Sequence, residues 1–304
     1  MTAGRRSNLA ASHRAKLLAI AQDRKEDFQF ILNRWAVERF LLRLSRSELK
    51  DKFVLKGAML FIAWEGKLHR PTKDLDLLGR GPHDVDQVVN AIREICAVEC
   101  DDGLKFDLAG IEGWRIAEDA EYEGVRVRVP ASLDGARIPM QIDIGFGDAV
   151  EPVPRPLTFP VLLPLDAPVV SAYPPEAVIA EKFHAMVLLG IANSRMKDFF
   201  DIWTLASTYT FEMAALSRAV RGTFHRRKTD VPRSVPLALT SEFLDDAEKK
   251  VQWAAFLKRM GLTGERPSLA DIGRFLADFL MPIAEAVMEE DSPYREWAPP
   301  GRWR

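Results

Sequence analysis

Two aspartates one residue apart, Asp74 and Asp76, sit in the run RPTKDLDLLG (residues 70–79), with cations before them and leucines around them. In an extended strand successive side chains alternate, so both carboxylates project from one face and Leu75 and Leu77 from the other. Like charges held side by side repel unless something positive lies between them. A third carboxylate, Asp143, stands in RIPMQIDIGFGD (residues 137–148), where Met140, Ile142, Ile144 and Phe146 take one strand face and Gln141 and Asp143 the other. If the two strands are neighbours, Asp74, Asp76 and Asp143 converge. Oxygen-only ligands of this kind suit Mg2+ or Mn2+, which keep positions for water and phosphate oxygens. Two such ions can clamp the attacking and leaving oxygens of a phosphoryl displacement. A lone DxD fits a solvated strand end equally well; the matching Asp143 is what favours the ion.

Other residues are suited to phosphate. LKGAML places Lys56, Gly57 and Ala58 at a turn between an apolar run and a helix start, where backbone N–H groups can receive a triphosphate. Arg70 and Thr72, just ahead of the carboxylates, can touch phosphate or offset the local negative charge. Later, AEKFHAM carries Lys182 on an otherwise apolar helix, and SRMKDFFDIW carries Asp198 and Asp201 three apart on one helix face beside Phe199, Phe200 and Trp203. Burying such charges alone is expensive. Either Lys182 pairs with Asp198 and pins two helices, or it addresses a phosphate while Asp198 orients it or a nucleotide hydroxyl. Finally, RGTFHRRKT (residues 221–229) gathers Arg221, Arg226, Arg227 and Lys228 around Phe224 and His225. Its reading is an RNA-contacting loop between helices, with Phe224 stacking on a base; a solvated helix end attracts the same cations.

These residues need elements to position them. The spacing of Phe28, Ile31, Leu32, Trp35 and Leu42 predicts helix in the first fifty residues. A strand, a turn and a helix start follow around Gly57, then a short strand through Asp74 and Asp76. The helix VDQVVNAIREICAVEC is expected to carry both cysteines, Cys96 and Cys100, as thiols of a reducing compartment. Alternating runs either side of DGA predict a hairpin before residue 148. Residues 149–175 hold eight of the nineteen prolines, which predicts an extended connection with one short strand. Helices are expected thereafter, TSEFLDDAEKKVQWAAFLKRM forming one of them. The fold class is α+β, with domains 1–172 and 173–304. A formal charge of −2 over 304 residues argues against a generally basic nucleic-acid coat, though not against a local patch. No apolar run approaches the roughly 18 residues of a membrane span, and MTAGRRSNLAASHRAK lacks the apolar core of a signal peptide, so a cytoplasmic location is expected.

In this order and at these spacings, FVLKGAMLF, RPTKDLDLLG, QIDIGFGD, PPEAVIAEKFHAM and RMKDFFDIWTL resemble the AbiEii/AbiGii toxin family of nucleotidyltransferases over nearly the whole chain. The resemblance implies a polymerase-β-like nucleotidyltransferase core with a mixed sheet, then a helical C-terminal domain completing the active site. It implies a metal-dependent toxin of a type IV-style toxin–antitoxin or abortive-infection system, paired with a separately encoded antitoxin. Some members transfer nucleotides to the 3′ end of tRNA and so stop translation, so the resemblance implies transfer from an NTP to an RNA acceptor, the tRNA 3′ end, that blocks translation and growth. By position, Asp74 and Asp76 match the metal-binding aspartates, Asp143 the third carboxylate, and Lys182 and Asp198 the lysine and aspartate of the later motifs. Thr72 matches a place close to the nucleotide phosphates; with Gly57 and Ala58, the residues' own chemistry adds Lys56, Arg70 and Asp201 to the nucleotide side. Gly57-Ala58 stands where the family usually shows Gly-Gly or Gly-Ser, which removes a side-chain hydroxyl. Nucleotide transfer to a protein side chain, and a non-catalytic metal- or nucleotide-binding module, are the alternatives.

Overall fold

The computed structural model describes residues 3–66, 74–81, 83–119, 122–147, 150–260, 267–289 and 292–304. The chain divides into two compact units, Met1–Gly147 with Arg155–Ala172, and Asp148–Pro154 with Tyr173–Arg304. Among the described residues no helix is long and apolar enough to cross a membrane.

The first unit opens with two helices, α1 (Ala3–Arg24) and α2 (Phe28–Arg46), the second capped by Asp27, which accepts from the Phe30 N–H. Next come β1 (Phe53–Lys56), α3 (Met59–Glu65), β2 (Asp74–Gly79), α4 (Val85–Ala97), β3 (Lys105–Phe106), β4 (Glu112–Asp119), β5 (Tyr122–Leu133), β6 (Ala136–Phe146), β7 (Arg155–Thr158) and β8 (Val169–Ala172). The strands form one mixed sheet in the order β3-β5-β6-β2-β1-β8-β7, with β4 also paired to β5. β2 runs parallel to β6 and antiparallel to β1. The β5–β6 hairpin turns at Asp134 and Gly135, both at positive φ, the two-residue geometry that matches strand twist. Strand alternation leaves Leu75, Leu77, Val125, Val127, Ile142 and Ile144 buried on one face, and α2 and α4 pack against the sheet.

Two expectations need correction here. The proline-rich stretch contains two strands, β7 and β8, not one. β8 joins β1 in parallel, with Leu55 opposite Ala172, and β7 forms the sheet edge, where Pro156 sacrifices no ladder bond that the sheet needs. Side chains of α2 hold the rest of this stretch: Arg39 donates to the Asp166 carbonyl (3.1 Å), and buried Glu38 accepts from the Leu162 N–H (3.0 Å). The second correction concerns the cysteines. α4 ends at Ala97, so Cys96 is buried in its last turn, while Cys100 lies beyond it.

The second unit comprises α5 (Pro175–Leu189), α6 (Met196–Thr208), β9 (Phe211–Glu212), α7 (Met213–Arg226), α8 (Ser241–Leu244), α9 (Ala247–Arg259), α10 (Leu269–Glu289), β10 (Glu296–Ala298) and β11 (Arg302–Trp303). The expected single helix over residues 240–260 is broken in two, because Asp246 turns outward to cap α9 by accepting from the Lys249 N–H. Three short strands also interrupt the helices, in the order β11-β10-β9. Trp297 fixes them to the core: it is buried, packs at a tilt against Phe279 (4.7 Å between centroids) and donates to the Ala206 carbonyl at 2.7 Å.

Candidate active site

On the face of the first unit's sheet opposite the leucines, register decides which side chains meet. One row of Cα partners crosses four strands: Lys56 on β1, Asp76 on β2, Asp143 on β6 and Arg126 on β5. The row two residues along the same face runs Asp74, Gln141, Arg128 and Glu112. Directly opposed residues have Cβ atoms about 4.5–5.5 Å apart. The expected convergence of the DxD strand with Asp143 is therefore present as a paired register. Two adjacent acids are flanked on each side by a base.

Asp143 is buried, and both of its carboxylate oxygens are engaged by neighbours. Arg126 donates from Nε to Oδ1 (2.8 Å) and from Nη2 to Oδ2 (2.7 Å), and Gln141 Nε2 reaches Oδ1 at 3.3 Å. The hydrogen bond to Asp143 raises the Arg126 guanidinium above its ordinary pKa, against a desolvation effect, and the charges of Asp143, Asp74 and Asp76 add to it. Among the described residues no three His, Cys, Asp or Glu side chains are gathered closely enough to hold a metal ion; Asp143 turns both oxygens to the guanidinium. Arg128 makes an exposed pair with Glu112 at 2.8 Å.

Gly57 ties the turn after β1 to this face. Its φ is +74°, and a Cβ added there would lie 1.9 Å from Asp76 Oδ2. Only a glycine lets the backbone pass so close to that carboxylate. Ala58 caps α3, with the Leu60 and Phe61 N–H groups bonded back to the Gly57 and Ala58 carbonyls. Lys56, 8% exposed, is the register partner of Asp76. The structure thus brings together Lys56, Gly57, Asp74, Asp76 and Asp143. Arg70 and Thr72 lie outside the described residues. Arg126 was not singled out from the sequence.

In the second unit, Lys182 on α5 bonds both acids of α6: Asp198 Oδ1 at 2.5 Å and Asp201 Oδ2 at 2.9 Å. All three side chains are largely buried, at 15%, 5% and 2% exposure, so pairing between helices is the observed arrangement. The cationic stretch departs from expectation. Residues 221–226 are the last turns of α7, not a loop. Phe224 is buried against Phe183 (5.5 Å) and His184 (5.1 Å) and cannot stack on a base. Arg227 is half-buried and approaches His184 Nδ1 at 3.4 Å, while His184 Nε2 lies 3.0 Å from Thr229 Oγ1. Arg221, Arg226 and Lys228 are exposed.

The family model described as "Nucleotidyl transferase AbiEii toxin, Type IV TA system" matches residues 39–275. The chain is similar to the crystal structure of JHP933 from Helicobacter pylori, at 15% identity, TM-score 0.46, and 83% and 90% coverage of this chain and that one. A second H. pylori structure, described as a candidate nucleotidyltransferase, aligns at 16% identity and TM-score 0.43, over 83% of this chain and 93% of its own. No curated protein matches the chain.

Proposed function

The chain belongs to the AbiEii family of nucleotidyl transferase toxins of type IV toxin–antitoxin systems, and on that premise we propose that it transfers nucleotides from an NTP to the 3′ end of an RNA, specifically a tRNA, and so blocks translation and growth. The observation carrying this reading is the Asp76–Asp143 register pair, with Asp74 one step back on the same face and the Gly57 turn packed against Asp76. The donor set fits Mg2+ or Mn2+: it is oxygen only, and Mg2+ commonly takes one or two carboxylates and completes its shell with water and substrate phosphates. Asp74 and Asp76 would hold the ion, with Asp143, engaged by Arg126 in this structure, as the third carboxylate of the site. A divalent ion bound there supplies charge neutralisation for the phosphoryl oxygens during displacement.

The chain's own groups do the rest. The Gly57 and Ala58 backbone, with Lys56 beside it, receives the phosphates. Asp143 already accepts two hydrogen bonds at Oδ1 and one at Oδ2; one further acceptor position on Oδ2 would orient an acceptor hydroxyl or take its proton. Lys182, held by Asp198 and Asp201, acts as a second determinant of activity. The exposed Arg221, Arg226 and Lys228 contact RNA phosphates. A separately encoded antitoxin restrains the enzyme.

Incubating the protein with each labelled NTP and total tRNA tests this. Label should enter RNA with release of pyrophosphate, and Asp76→Ala should lose it while keeping its melting temperature. Label in protein alone, or equal transfer by Asp76→Ala in excess Mg2+, would overturn the assignment.

A further inference from the structure

The four-strand row contains a cation that the sequence reading left unassigned. Arg126 stands on the same sheet face as Asp74, Asp76 and Asp143, and it engages both oxygens of Asp143 in a bidentate fork. Such a fork is the strongest geometry available to a protein cation and carboxylate. The groups that face Arg126 are Asp143 and Gln141 on β6, Asp74 and Asp76 on β2, and Trp114, its register partner on β4. Its side chain is one-third exposed, whereas Asp143 is only 11% exposed. The guanidinium therefore has open space to move into, and the carboxylate does not. At the other end of the row Lys56 is 8% exposed and lacks that freedom.

We infer that Arg126 is a positioning residue that serves as the resident counter-ion of the carboxylate face and must give way, in part, when a divalent ion and nucleotide load. This deepens the reading above and rests on it. In the nucleotide-free protein, Arg126 neutralises Asp143 and lowers the attraction of the face for a second cation. A triphosphate offers the guanidinium a new bidentate oxygen partner, because its planar fork fits phosphate as well as carboxylate. Turning to phosphate releases Asp143 toward the ion. Metal and nucleotide binding are then positively coupled, each tightening the other by the same factor. The arrangement keeps the carboxylates from holding a divalent ion tightly before substrate arrives.

Mn2+ affinity of the full chain, measured by calorimetry or electron paramagnetic resonance with and without a non-hydrolysable NTP analogue, tests the inference. Wild type should bind Mn2+ weakly alone and at least about tenfold more tightly with the analogue. Arg126→Gln removes the charge, and a unit charge within several ångströms is worth about a tenfold change or more in cation affinity. Its nucleotide-free Mn2+ affinity should therefore rise by at least about tenfold, and the coupling to analogue should shrink. Arg126→Lys, which keeps the charge and loses the fork, should fall between the two, and it carries the test if Arg126→Gln does not fold. A residue that merely held the strands together would lower Mn2+ affinity when removed, not raise it. Unchanged or weaker nucleotide-free binding in the variants, with normal analogue-dependent binding in wild type, would overturn the inference alone. Absence of Mn2+ binding in wild type even with the analogue would overturn the metal reading beneath it, and the inference with it.

Discussion

Replacing Gly57 by alanine tests the tie between backbone and carboxylate. At φ +74° an L residue costs about 1–2 kcal/mol relative to glycine. The added Cβ would also lie 1.9 Å from Oδ2 of Asp76 and 2.6 Å from both its Cγ and its Cβ. Rotating Asp76 can move the carboxylate, but its Cβ is fixed to the strand, so the β1–β2 pair itself must give. Overpacking of this kind costs about 1–3 kcal/mol. The two effects together make about 2–5 kcal/mol, and at roughly 2–4 °C per kcal/mol for a unit of this size the melting temperature should fall by about 4–20 °C. Gly66, at the other end of α3, is the control: its φ is +73°, and an added Cβ meets nothing within 4 Å. Gly66→Ala should therefore show only the backbone part. The difference between the variants, about 1–3 kcal/mol, isolates the contact with Asp76. Thermal melts of both, paired with nucleotide transfer at saturating Mg2+, give the readout. Transfer should drop by about a hundredfold in Gly57→Ala, the effect of displacing a reacting group by an ångström, and hold in Gly66→Ala. Adding Asp76→Gly to Gly57→Ala removes the obstructing Cβ and should recover the contact part of the stability, not the backbone part, without recovering transfer. Equal melting temperatures for the two single variants, with full transfer by Gly57→Ala, would refute the reasoning.

Lys182→Met should cost about 3–5 kcal/mol, because Asp198 and Asp201 stay buried without the ammonium they share; adding Asp198→Asn and Asp201→Asn should restore the melting temperature but not transfer, and an undiminished single variant would contradict the cluster. Burial raises the Glu38 carboxyl from 4.5 to about 7, chiefly by desolvation. A raised folded-state value means that its stabilising effect is whole below about pH 4.5 and is lost as pH climbs through about 7. Urea unfolding of wild type against Glu38→Gln should thus diverge by up to about 3 kcal/mol over that window; parallel curves would reject the shift. Arg226→Glu with Lys228→Glu should weaken RNA binding and reduce its salt slope by about 1.4, at roughly 0.7 per single-strand phosphate, with NTP affinity unchanged; an unaltered slope would place the RNA elsewhere.

The carboxylate face was readable because strand alternation is local: Leu75, Leu77, Ile142 and Ile144 declare one face, and the acids must take the other. Pairing of β2 with β6 was not readable, since a parallel contact across this separation is set by the whole sheet. Arg126 was closer to hand. VRVRV (residues 125–129) already puts Arg126 and Arg128 opposite the valines, and a two-residue turn at Asp134-Gly135 fixes the hairpin register. Seven residues back from Leu133 is Arg126, and seven on from Ala136 is Asp143, which the structure pairs. The proline-rich strands were hidden for the opposite reason. Proline forbids an internal strand but not an edge, and no local signal says which a segment will become.

The cationic stretch shows how a misread element changes a functional claim. Leu216, Ala219, Val220, Thr223 and Phe224 continue one buried stripe at helical spacing, so α7 runs on through the arginines before the chain leaves it near Lys228, at φ 48°. The inner face of that turn is structural: Phe224 packs between Phe183 and His184, and Arg227 approaches His184. Arg221, Arg226 and Lys228 remain on the outside as the permanent cations able to meet a polyanion. If each neutralises one phosphate of a single strand, the salt slope from this stretch reaches about 2 and no more. A steeper measured slope would require basic residues elsewhere on the chain. With a net charge of −2 overall, those would have to be local patches as well. Under the proposed function, RNA engagement through α7 alone would be a weak, salt-sensitive contact.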